Sequence, residues 1–292
     1  MRATANGIEI CYEVFGEPHD KKEGRPLLLV MGLGMQMIGW DEEFIGLLVA
    51  KGHEVVRFDN RDIGLSTHLT HAPDLLAALG GDTSGAPYTV DDMADDTAGL
   101  LDALGWESAH VVGASMGGMI AQALAIRHPG RVRSLTSIMS TTGPEVGGPT
   151  EAAMAALLVP PAPGRENAIE RALATWRVVG SPGYAMDTEH VAQVARESYD
   201  RAYDPAGAAR QLVAILASKD RTAGLRGLTI PALVIHGEDD PLVTPPGGAA
   251  TADAIPGAKL LTFPGMGHDL PRELWPEIVE AITELTGREA AV

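Results

Sequence analysis

The chain has one cysteine, Cys11, in 292 residues. No intrachain disulfide can form and no cysteine-based metal cluster can be built, so the composition fits a reducing compartment. Basic residues are scarce: 22 Lys and Arg against 39 Asp and Glu give a formal charge of −17. With no basic tract to neutralise phosphates, nucleic acid and anionic membranes are not expected partners. The acidity is densest from Asp91 to Asp102 and is read as a solubilising surface rather than a cation site. The longest apolar stretch, around Leu27 to Met35, is broken by Gly32 and Gly34 and is too short to span a bilayer. Residues Met1 to Gly7 lack the apolar core of a signal peptide. There is no internal repeat and no low-complexity tract. These absences predict a soluble, cytoplasmic protein.

What is present is a hydrophobic fraction of 45%, punctuated by 34 Gly and 20 Pro, in a chain long enough for a large buried core. Ile8 to Phe15 alternates weakly and reads as an edge strand. Leu27 to Met31 is continuously apolar, as strands buried on both faces are. Further strands are predicted at His53 to Phe58, Ala109 to Gly113, Val132 to Ile138, Ala232 to His236 and Lys259 to Phe263. Helical patterns lie between them at Glu42 to Lys51, Val90 to Leu104, Gly117 to His128, Pro246 to Ala254 and Pro271 to Leu285. This alternation predicts an α/β fold, a mostly parallel central sheet flanked by helices. One segment breaks it. From Pro144 to about Thr222 only helix-like pieces occur, at Glu151 to Val159, Glu166 to Val179, Thr188 to Tyr203 and Ala206 to Ser218. The expected organisation is therefore a core of residues 1–143 and 223–292 with a helical lid, residues 144–222, placed to cover the site.

The chemistry centres on Gly113-Ala114-Ser115-Met116-Gly117, between an apolar strand and a small-residue helix. A serine in such a tight strand-to-helix turn is exposed to a base on one side and a substrate on the other. Side chains at 113 or 117 would collide with the neighbouring strand or helix. A serine hydroxyl is a weak nucleophile at neutral pH, so Ser115 needs a base and a carboxylate to orient that base. Of nine histidines, His19, His68 and His71 lie in loop-like stretches, His53 and His110 begin strands, His128 ends a helix and His190 falls in the lid. His268 follows the last strand in the glycine-rich Pro264-Gly265-Met266-Gly267-His268 and is the candidate base. His236 is given no catalytic role. Asp240, just past the strand ending at His236-Gly237, is preferred as the acid over Asp239 and Glu238. A carboxylate after Ser140 to Thr142 is the alternative position, and the first acidic residue there is Glu145. Two backbone N–H groups are needed for a developing oxyanion, and those of Met116 and Leu33 are the candidates.

The order Ser115, Asp240, His268 and the turn around the serine resemble the α/β-hydrolase superfamily. Within it the chain resembles actinobacterial esterases of the aclacinomycin methylesterase type. Arg57-Phe58-Asp59-Asn60-Arg61-Asp62-Ile63-Gly64-Leu65-Ser66 is similar to that group's R-x-D-x-R-x-x-G-x-S segment, and Pro264 to His268 to its histidine loop. Met31-Gly32 departs from the His-Gly common in the wider superfamily and matches the narrower group. The resemblance implies an α/β-hydrolase fold with a helical lid inserted after the sixth strand. It also implies hydrolysis of a small-molecule carboxylic ester through an acyl-enzyme, with neither a metal nor an organic cofactor required. Met154, Leu157, Leu158, Trp176, Met186 and Tyr203 are candidate pocket residues for an apolar or polycyclic substrate. Lactonase, thioesterase, carbon–carbon bond hydrolase and cofactor-free haloperoxidase chemistries use the same triad, and a ligand-binding receptor is the non-enzymatic alternative.

Overall fold

A computed structural model describes residues 1–17 and 25–288. Its eight strands are β1 (Arg2–Ala5), β2 (Ile8–Phe15), β3 (Arg25–Val30), β4 (His53–Phe58), β5 (Ala109–Ala114), β6 (Val132–Ile138), β7 (Ala232–Gly237) and β8 (Lys259–Phe263). They form one sheet in the order β1-β2-β4-β3-β5-β6-β7-β8. The pairs β1–β2 and β2–β4 are antiparallel, and every later pairing is parallel. The segment Ile8–Phe15 is therefore not an edge strand. It pairs on both sides, and the edge is Arg2–Ala5, whose four residues carry too little apolar pattern to be read as a strand.

The continuous apolar runs follow from burial on both faces. Along β3, Leu28 and Val30 point into one core with Val56, Val111 and the helices α3 (Val90–Leu104) and α4 (Met116–Arg127). Leu27 and Leu29 point into the other core with Val55, Val112, Ile235 and the helices α1 (Glu42–Ala50) and α11 (Trp275–Thr286). This is the period-two alternation of a strand, hidden in the sequence because both faces are covered. Helix α4 is buried at every position from Met116 to Ala125, which its run of small apolar residues permits.

The acidic stretch Asp91 to Asp102 lies in α3, and it is not simply a solvated face. Asp92 closes a capping box with Thr89, Asp96 is buried against Arg61 and Asn6, and Asp95 pairs with Arg127 and His128. Two short helices, α2 (Leu75–Leu79) and α9 (Thr222–Leu225), were not foreseen. Between β6 and β7 the chain forms an insert of α5 (Glu151–Leu157), α6 (Arg165–Val179), α7 (Thr188–Arg201) and α8 (Pro205–Ala217). Helix α10 (Pro246–Ala254) links β7 to β8. Among the described residues no helix is long and apolar enough to cross a membrane.

Candidate active site

Strand β5 ends in Ala114, and Ser115 follows at φ 56° and ψ −121°, a left-handed turn that a non-glycine residue adopts only under constraint. The constraint is visible: Ser115 N–H donates to the Ile138 carbonyl of β6 at 2.9 Å, while its own carbonyl accepts from Gly118 N–H at 2.9 Å. A Cβ at position 113 would lie 2.1 Å from the Gly117 oxygen, and one at 117 would lie 2.1 Å from the Val30 oxygen. Neither glycine has room for a side chain, so the backbone crowding that the sequence implied around the serine is real.

Two loops bring the other groups to this point. The loop after β8 carries His268, whose Nε2 lies 3.0 Å from Ser115 Oγ. The loop after β7 carries Asp240, whose Oδ2 lies 2.8 Å from His268 Nδ1. With Nδ1 donating to the carboxylate, a neutral ring leaves Nε2 free to accept from the serine hydroxyl. Asp240 Oδ1 accepts from the N–H groups of Leu242 and Val243 at 2.9 and 3.0 Å, so both carboxylate oxygens are occupied and the buried group cannot swing. Its neighbours are engaged elsewhere: Asp239 accepts from Gly265 N–H and Glu238 from the Thr262 hydroxyl. Glu145 is exposed.

Most of the remaining histidines have other partners, and His71 only lends its carbonyl to Arg210. His236 donates from Nε2 to the Val243 carbonyl at 2.7 Å, and burial lowers its pKa, which keeps it neutral. His110 bonds Ser134, His128 bonds Asp95 and His190 lies 3.5 Å from Asp41. His53 reaches the Arg25 carbonyl, and His19 lies outside the described residues. His68 stands between the Gly64 carbonyl and Asp204. Asp62, His68 and Asp204 offer ligand atoms within 4.8 Å of one another. Arg210, however, already donates to both carboxylates and supplies the positive charge.

The loop after β3 lies against the serine: a Cβ on Gly32 would come within 3.2 Å of Ser115 Cβ. Among the described residues neither Leu33 N–H nor Met116 N–H donates to another protein group. The loop is shaped by the segment after β4. Asn60 donates to the Met31 carbonyl, Asp59 accepts from Met37 N–H, and Arg61 and Asp62 pair with Asp96 and Arg210. Sequence reading used this segment only as a likeness, yet every polar residue in it has a scaffolding bond. It also missed Gln211, which accepts from Gly34 N–H at 2.9 Å and donates to the Arg61 carbonyl. No spacing rule links positions 34 and 211. On the insert, Met154, Leu157, Leu158, Trp176 and Met186 are half-buried and stand outside both apolar cores, while Tyr203 is exposed and its ring lies tilted against that of Tyr199.

Residues 25–271 match the family model described as alpha/beta hydrolase fold. The chain is 30% identical to rhodomycin D methylesterase DauP of Streptomyces sp. (strain C5), over 96% of this chain and 95% of that protein. It is 29% identical to rhodomycin D methylesterase DnrP of Streptomyces peucetius, again over 96% and 95%. The solved enol-lactonase from Burkholderia xenovorans LB400 superposes with a TM-score of 0.74 at 26% identity, covering 99% of this chain and all of that one. The match over most of the length, on a sheet of this topology, shows that the chain belongs to the α/β-hydrolase family.

Proposed function

We propose that the chain is a serine ester hydrolase that cleaves a small-molecule carboxylic ester, in the first instance a methyl ester of an apolar polycyclic acid, through an acyl-enzyme on Ser115. The observation that carries this reading is the hydrogen-bonded chain from Ser115 Oγ through His268 to Asp240, at 3.0 and 2.8 Å. As Ser115 attacks the ester carbonyl, His268 Nε2 takes its proton, and Asp240 holds the ring and stabilises the imidazolium. The N–H groups of Leu33 and Met116 receive the oxyanion, the second with the aid of the α4 dipole. The proton then passes to the leaving alcohol, and a water activated by His268 releases the acid. No metal or organic cofactor enters these steps.

The methyl ester comes from the likeness to the two rhodomycin D methylesterases. In this reading residues 144–222 form a lid that selects substrate, with Met154, Trp176 and Met186 as pocket contacts and the more exposed Tyr203 beside them. The single buried Cys11 and the lack of a membrane-spanning helix among the described residues suit work in the cytoplasm. Lactone hydrolysis is the second reading, favoured by the likeness to the enol-lactonase, and differs only in that the leaving alcohol stays tethered.

A fluorophosphonate probe followed by peptide mass mapping tests the nucleophile, and the expected result is one adduct per chain on Ser115. A protein that stays unlabelled but binds polycyclic esters would be a receptor, and the enzymatic reading would fall. Rates on methyl esters of polycyclic acids, p-nitrophenyl esters and lactones then rank the two substrate classes.

A further inference from the structure

His268 is carried by a loop that the core holds at its two ends, through Asp239 before it and, after it, through Trp275 Nε1, which donates to the Leu270 carbonyl at 2.8 Å. On the core side, Asp239 accepts from Gly265 N–H at 2.8 Å and Asp239 N–H donates to the Met266 carbonyl at 3.0 Å. The two backbone N–H groups nearest the imidazole are satisfied from the insert instead. His268 N–H donates to the Val179 carbonyl, at the end of α6, at 2.7 Å. Gly267 N–H donates to Ser181 Oγ at 2.8 Å. A third bond runs from Gly183 N–H to the Gly265 carbonyl at 2.9 Å. The turn 179–183 and the loop 265–269 are thus laced together along their length, with a Cβ on Gly267 coming within 2.4 Å of the Gly180 oxygen.

The Ser181 hydroxyl alone in this lacing depends on a side chain. It donates to Asp269 Oδ1, which fixes its rotor and leaves a lone pair facing Gly267 N–H. Burial raises the Asp269 carboxyl above its usual range, and the bonds from Ser181 work against that rise. The pair Ser181–Asp269 is therefore a clasp across the base of the imidazole, with one member on each side of the seam.

We propose that Ser181 is a positioning residue: acting through Gly267 N–H and Asp269, it sets the placement of His268 Nε2 against Ser115, so that this turn of the insert takes part in the chemical step without itself touching the substrate. The proposal rests on the reading of Ser115 and His268 as nucleophile and base. Rate is sensitive to errors of about 1 Å in such placements, on the order of a hundredfold.

The test compares S181A, S181T and D269A with the unaltered full chain, using p-nitrophenyl acetate, thermal melting and the rate of fluorophosphonate labelling. S181A is expected to lower kcat by about 10- to 100-fold with KM within about twofold, and the labelling rate should fall in parallel. S181T, which keeps the hydroxyl, should recover to within about threefold of the unaltered protein. A folded S181A with kcat within about twofold of the unaltered protein would overturn the proposal, as would an effect confined to KM or a failure of S181T to rescue. If S181A does not fold, D269A frees the same rotor, and a loss of kcat below about threefold overturns the proposal in its place. Absence of labelling in the unaltered protein would instead sink the assignment of Ser115. Equal labelling of the unaltered protein and S181A would sink this inference alone.

Discussion

Strands β5 and β7 bury every side chain, whereas α7 of the insert buries none fully and α5 buries only Ala153. The core is held by apolar area spread over two clusters; the insert lends Ala214 of α8 to one of them, and its seam also carries individual polar bonds. Arg210, with its side chain 3% exposed, forks onto Asp62. Gln36 donates to the Ser198 and Ala202 carbonyls, and Arg201 reaches Gln36 and Asp59. Gln211 and Ser181 reach the loops that carry Gly34 and His268. Truncating one apolar side chain leaves a cavity that its many neighbours partly fill, whereas each hydrogen bond lost from the seam leaves a buried donor or acceptor with no substitute partner.

The largest expected effect belongs to the core. Replacing Ser115 or His268 by alanine should lower kcat by about four orders of magnitude or more, and the double variant should be little worse than either alone, because triad members act as a unit. D240N should be severe and D239N mild, since of the two carboxylates it is Asp240 that bonds the imidazole, while Asp239 accepts from Gly265 N–H. Additive losses in the double variant would show that the two groups do not cooperate.

At the seam, R210M strands the buried Asp62 carboxylate and should cost about 3–5 kcal/mol of stability, measured by urea denaturation. A single shifted transition would mean that insert and core unfold together. A new early transition, followed by hydrogen exchange to α8, would mean that the insert is a separate cooperative unit. A loss below about 1 kcal/mol would contradict the contrast drawn here.

That contrast also explains what could be read from the sequence. Strands at His53–Phe58 and Val132–Ile138 were legible to the residue because apolar runs between turn signals report burial directly, and Lys259–Phe263 was legible from its turn signals although most of it is exposed. The meeting of Ser115, Asp240 and His268 was legible because each follows a strand end in a stretch that a parallel sheet brings to one edge. Arg2–Ala5 was illegible because its pairing, rather than its own composition, makes it a strand. Ser181 and Gln211 were illegible for a related reason: a hydrogen bond spanning 86 or 177 residues leaves no local pattern. The acidic stretch misled because charge alone does not say whether a partner waits across the fold, as Arg61 does for Asp96.

Trp176 probes the insert as a specificity element. In α6 it is half-buried and belongs to neither core cluster. W176A should shift the preference between a polycyclic methyl ester and a small acetate by about 1–3 kcal/mol in relative kcat/KM. An equal loss on both substrates, with the fold intact, would remove it from the pocket.

The two regions should also respond to pH with opposite signs. Burial in β5 pushes His110 down to about 3, while an unfolded chain would bind the proton near 6.5. The folded state therefore loses stability as pH falls below about 6.5, by about 1.4 kcal/mol per unit from this group. H110N should flatten the acid limb between about pH 6 and 4 relative to the unaltered protein. An unchanged slope would mean that His110 is protonated in the fold.

His68 gives the smallest and opposite effect. Burial alone would lower its pKa, but its two ring nitrogens face two acceptors, the Gly64 carbonyl at 2.9 Å and Asp204 at 2.8 Å, and these raise it. Only the imidazolium can donate to both at once. Its contribution is full below the unfolded value and fades as pH rises through the raised folded value, so the attachment of α8 should loosen on the alkaline side. Because Arg210 also holds Asp204, the loss should stay below about 1 kcal/mol. The measurement is the difference in melting temperature between the unaltered protein and H68Q, largest on the acid side and shrinking as pH rises. A difference that instead grew with pH would mean that the neutral ring is the form the seam prefers, and the opposition in sign between core and insert would be lost.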